Sequence, residues 1–77
     1  MDTMLIYSVK DKAAGQFQKV NLAINEVVAK REFLEVFKAF PYRGDLALFI
    51  LGEYDYIRGT VIGYPEPFFV MDYPAEV

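Results

Sequence analysis

Asn25-Glu26-Val27-Val28-Ala29-Lys30-Arg31-Glu32-Phe33-Leu34-Glu35-Val36-Phe37-Lys38-Ala39-Phe40-Pro41 is the stretch that decides how this chain is read. Asn25 has the short polar side chain that caps a helix, and Glu26 complements the positive end of the helix dipole. Ala29, Phe33, Phe37 and Phe40 recur at intervals of four, four and three, with Val36 alongside, so one stripe of the helix is apolar. Lys30, Arg31, Glu32, Glu35 and Lys38 fall mainly elsewhere. Pro41 disfavours helical backbone before it, so the helix ends near Ala39 after about fourteen residues.

Strand signals lie on both sides of this helix. Met4 to Val9 is apolar and β-branched, and a polar connection follows to Gly15. From Phe17 to Ile24, Val20, Leu22 and Ile24 alternate with Asn21 and Ala23, which predicts a strand with those three in the core. The two segments make a hairpin. After the helix, Leu46 to Leu51 is apolar throughout, as a central strand covered on both faces would be. Glu53 to Arg58 is polar and tyrosine-rich, and Gly59 is a turn residue. Thr60 to Tyr64 and Phe68 to Met71 read as further strand segments interrupted by Pro65-Glu66-Pro67. The order predicts an α+β fold: a small, mainly antiparallel sheet in β-β-α-β-β order with one helix packed on one face.

The chain has 77 residues, too few for a second domain, and 55% are hydrophobic, too many for a disordered tail. A single domain over 1–77 is expected, with a core at 4–71 and a short acidic tail at 72–77. A monomer of this size buries only roughly 60% of the surface its unfolded chain exposes. With no Cys for a disulfide, a dimer or higher oligomer is the expected support. Tyr54 and Tyr56 share one side of an extended stretch, and with Phe68 and Phe69 they are the candidate oligomer interface.

Charge divides the chain. Residues 1–43 carry seven basic and five acidic side chains; residues 44–77 carry one basic residue, Arg58, and six acidic ones. The overall balance is −3, which argues against tight non-specific DNA binding, since that needs several Lys or Arg near phosphates. No apolar run approaches the roughly 20 residues of a spanning helix, and no membrane partner is expected.

Most catalytic chemistry lacks its residues. Cys and His are absent, and Ser8 is the only serine. An enzyme is therefore not expected, nor a metal, nor a cofactor; neither a phosphate loop nor a dinucleotide fingerprint occurs. A carboxylate-bound Mg²⁺ held by Asp45, Glu53 and Asp55 is the one route left to a nuclease. Cations with neighbouring aromatics are more informative, because single strands are held by cations along the backbone and rings under the bases. Lys10, Lys12, Lys19, Arg31 and Arg43 are the candidate phosphate contacts, and Phe17 and Tyr42 the candidate stacking rings.

Ile6-Tyr7-Ser8-Val9, Asp11-Lys12-Ala13-Ala14-Gly15-Gln16-Phe17, Asn25 to Phe33 and Leu51-Gly52-Glu53-Tyr54-Asp55 occur in that order. Together they resemble the small non-structural protein of gokushovirus-type microviruses, phages with single-stranded DNA genomes. The matching positions are Lys12, Gly15, Phe17, Asn25, Arg31, Phe33, Gly52, Tyr54 and Asp55. The chain departs from that pattern at Gln18-Lys19-Val20, where Gly-Pro-Pro-like residues are usual. The resemblance implies a phage protein of the host cytoplasm that binds single-stranded DNA in genome replication or in the switch to packaging. The alternative is an interaction module that docks on a phage replication or capsid protein without binding DNA.

Overall fold

The computed structural model describes residues 2–74. Its elements are β1 (Thr3–Asp11), β2 (Gln16–Phe17), β3 (Asn21–Ala23), α1 (Glu26–Val36), a 3₁₀ turn (Arg43–Asp45), β4 (Leu46–Asp55) and β5 (Thr60–Asp72). They form one antiparallel sheet in the order β2-β1-β4-β5, and β3 pairs with the same side of β1 as a continuation of β2. The fold is α+β, a small antiparallel sheet with one helix packed on it, as the strand and helix periods predict.

Asn25 caps α1 by accepting the Val28 amide at 2.9 Å. The helix is shorter than its apolar stripe implies. Phe37 leaves helical geometry at φ −103°, ψ 7°, and Phe40 N–H bonds to Phe37 O across a tight turn. Ala29 and Phe33 are buried, and Phe37 and Phe40 pack at the margin of the core. Val36 is 70% exposed rather than part of the buried stripe. One face of the sheet meets this helix through Tyr7 and Val9 of β1 and Leu46, Leu48 and Ile50 of β4.

The second predicted strand divides into β2 and β3, and its buried side is reversed. Val20, Leu22 and Ile24 are exposed while Ala23 is buried. Register explains it: Ala23 lies opposite Leu5 on the helix side, where two small residues, Ala23 and Ala29, let helix and strand approach. Leu22 lies opposite Ile6 and so faces away from the helix. The gap between β2 and β3 is closed by Ser8, whose buried hydroxyl donates to Gln18 O at 2.7 Å. The lone serine thus makes a structural bond between β1 and the segment that links β2 to β3.

β4 is the central strand, but the helix covers only one of its faces. It also runs four residues beyond Leu51, to Asp55. Both hairpin turns use the same device. Asp11 Oδ1 accepts the amides of Ala13 and Ala14, Asp55 Oδ1 accepts those of Ile57 and Arg58, and each turn closes on a glycine at φ near +70° (Gly15 71°, Gly59 72°). Only glycine takes that conformation without strain.

The two C-terminal strand segments are one edge strand, β5. Leu51 faces Tyr64-Pro65-Glu66-Pro67 between the register pairs Gly52↔Gly63 and Ile50↔Phe68, so the prolines occupy a bulge where no ladder donor is needed. The core also extends past Met71. Tyr73 sits edge-on to Phe33 at 5.4 Å and donates to Leu34 O at 3.1 Å. Residues 75–77 of the expected acidic tail lie outside the described residues.

Gly52 is fixed by contact. A Cβ there would run into Ile62 O and approach Gly63 Cα to 3.0 Å, both backbone atoms of the paired strand. Gly52→Ala is therefore expected to force β4 and β5 apart and cost about 1–3 kcal/mol, read as a lower urea midpoint.

Candidate nucleic-acid interface

The face of the sheet turned away from α1 carries a row of rings. Strand alternation puts Ser8, Phe49 and Phe69 on this side, since their neighbours Tyr7, Val9, Leu48 and Ile50 are buried under the helix. Phe17 meets Phe49 edge-on at 5.2 Å across the small Ser8 of β1, and Phe49 meets its register partner Phe69 at 5.6 Å. Phe17 is 40% exposed and Phe69 51% exposed, so half of each ring is presented to solvent. Lys10 Nζ lies over the Phe17 ring at 5.6 Å. Lys12, in the adjoining turn, reaches Asp72 at 2.7 Å. That pair is exposed on both sides, worth at most about 1 kcal/mol, and readily exchanged for a phosphate.

The structure gathers Lys10, Lys12 and Phe17 at one end of this face. Lys19 belongs elsewhere: it lines a cleft of about 260 Å³ on the helix side, with Tyr7, Asn21, Glu32, Phe33 and Val36. Arg31 is on the helix, so the sheet stands between it and the ring row. Arg43 donates to Phe40 O at 3.1 Å and lies over the Tyr73 ring at 5.9 Å. Tyr42 is exposed beside Phe40, in the same corner. The ring that sequence reasoning missed is Phe49, hidden in an unbroken apolar run. The signal was there as Ala47 and Phe49 alternating with Leu46, Leu48 and Ile50.

Of the four residues expected at an oligomer contact, Phe68 and Phe69 sit on opposite faces of β5. Phe69 joins the ring row, while Phe68 borders a hollow with Leu5, Glu26, Ile50 and Tyr64 on the helix side. Tyr54 is half-buried on β4, and Tyr56 is exposed at the β4–β5 turn. The three carboxylates considered for Mg²⁺ do not meet. Asp45 precedes β4 while Glu53 and Asp55 close it, roughly 26–33 Å away at about 3.3 Å per residue. Among the described residues no group of three or more acidic side chains is placed to hold a metal. No helix among them is long and apolar enough to cross a membrane.

In the helix-side cleft, Tyr7 donates to Glu32 Oε1 at 2.7 Å. Burial, and then the carboxylate that accepts its proton, push the Tyr7 phenol up to about 12. Tyr64 is raised in the same direction, by burial first and then by Glu53, to which it donates at 3.3 Å. Folded Tyr7 thus holds its proton where the unfolded residue, near 10, has lost it. Its contribution is complete below pH 10 and is lost as pH rises towards 12. A stability profile over that window is expected to fall less steeply in Tyr7→Phe than in the wild type.

Residues 4–75 match the sequence profile of the family described as Phage ORF5 protein. The chain belongs to that family and is a phage protein. No curated protein and no solved structure matches it.

Proposed function

We propose that this phage protein binds single-stranded DNA on the sheet face opposite the helix, as a non-enzymatic factor in genome replication or in the switch to packaging. The observation that supports the reading is the Phe17–Phe49–Phe69 row with Lys10 above its outer ring. Half-exposed rings in line offer stacking surfaces to unpaired bases, and Lys10 and Lys12 offer charge to the phosphates beside them. Duplex DNA hides its base faces, so the row favours single strands. The resemblance to gokushovirus non-structural proteins supports the same reading and the host cytoplasm as its place.

The acidic balance limits the site to one end of the face. Glu53 and Asp55 stand at the far end of β4, paired with Leu5 and Thr3 on the helix side, and their charge at that end leaves the strand nearer Lys10 and Lys12. Docking on a phage replication or capsid protein is the second reading, favoured by the exposed apolar residues Tyr56, Ile57, Val61 and Ile62 on the β4–β5 hairpin.

The test is titration into a fluorescent single-stranded oligonucleotide at several salt concentrations, with duplex as comparison. Two lysine contacts give an expected slope of log K against log salt between about −1 and −2. Absence of binding at low salt, or equal binding of duplex, overturns the reading.

A further inference from the structure

The outer edge of β5 is protected over only part of its length. Pro65 and Pro67 blunt its middle, whereas Thr60-Val61-Ile62-Gly63-Tyr64 has no proline and no charge. An edge left in that state is a template for another strand. The side chains around it are also uncovered: Val61 is 64% exposed, Ile62 60%, Ile57 68% and Tyr56 49%. Because neighbours Val61 and Ile62 point to opposite faces, the hairpin end is apolar on both sides.

We propose that this edge pairs with the same edge of a second copy, antiparallel about a two-fold axis through Ile62. In that register Ile62 faces the partner's Ile62, Val61 faces the partner's Gly63, and Thr60 faces the partner's Tyr64. Arg58, in the turn just before the paired segment, and Glu66, in the bulge just after it, flank the segment at its two ends, so the two-fold brings each to the same end as the opposite charge of the partner. Arg58 is the only basic residue after position 43, and among the described residues neither Arg58 nor Glu66 forms an ion pair within its own chain. An isologous contact needs such self-complementarity, and this edge has it. The carboxylates of Glu53 and Asp55, hydrogen-bonded but in no ion pair among the described residues, make the same hairpin end repellent to nucleic acid.

Covering five edge residues and four half-exposed apolar side chains on each copy removes about 1,000 Å² in total, at the low end for specific contacts. The dimer leaves the ring row free and does not depend on DNA binding.

Sedimentation of the full chain without DNA, from about 1 to 300 µM, tests the proposal. The expected mass rises to twice the 8.9 kDa of one chain, and amides in Thr60–Tyr64 gain exchange protection as it does. Arg58→Glu, an exposed turn substitution, turns two attractions into two repulsions and is expected to weaken the dimer on the order of tenfold. Arg58→Glu combined with Glu66→Arg is expected to restore it, and Ile62→Lys to leave a monomer. A wild-type monomer at the highest concentration overturns the proposal. So does a dimer indifferent to Arg58→Glu and Ile62→Lys, which must form elsewhere.

Discussion

Phe17→Ala with Phe69→Ala is expected to lower affinity for a single-stranded oligonucleotide on the order of 100-fold or more. Each base–aromatic stack contributes about 1–3 kcal/mol, and the double variant removes the two rings of the row most open to solvent. Phe49 is left in place because it lies between them and fills the sheet surface. The salt slope should be nearly unchanged, since the phosphate contacts of Lys10 and Lys12 remain. That split distinguishes stacking from charge: Lys10→Ala with Lys12→Ala should instead flatten the slope. Circular dichroism and a melting curve of the double variant check that the sheet persists. Unchanged affinity in a folded double variant would remove the ring row from the site and return the search to a protein partner.

Phe33→Ala is expected to destabilise the fold by about 3–5 kcal/mol, the usual cost of deleting a buried ring. Phe33 is 1% exposed and is the largest fully buried side chain on the helix. It joins Phe37 at 6.0 Å to Tyr73 at 5.4 Å, so its loss unseats both the helix and the segment around Tyr73 that packs on it. The full stability of a domain this size is only about 4–11 kcal/mol. The variant should therefore be largely unfolded in mild urea, where Val36→Ala, on the exposed side of the same helix, should match the wild type. A Phe33→Ala midpoint within error of the wild type would mean that the helix is not held to the sheet by this ring.

Much of the architecture was legible because it rests on local patterns. Asn25 is a cap in any context that follows it with a helical stripe, and Ala29 and Phe33 fall on the inward side by spacing alone. Gly15 and Gly59 mark turns because their positive φ excludes other residues. The strand signals around them needed only alternation and apolar content. Gly52 could not be understood this way. Its need for a missing side chain comes from Ile62 and Gly63, about ten residues on, across a strand pairing that no local window contains.

The candidate site was legible only in part, and for the same reason. Lys10, Lys12 and Phe17 come from one hairpin, so their neighbourhood follows from sequence. Lys19 and Arg31 group with them as cations but lie on the helix side, because the chain leaves strand geometry at 18–20, between β2 and β3, and Arg31 is on the helix itself. Phe49 and Phe69 reach Phe17 only through the register of β1 with β4 and of β4 with β5.

The sequence by itself determined the element types, the cap, the turn glycines and the division of charge, since each depends on residues a few positions apart. Tertiary structure alone decided which face of each strand is covered. One helix can shield only one side of a sheet, and the pairing register determines which side chains are left to meet a ligand or a second copy.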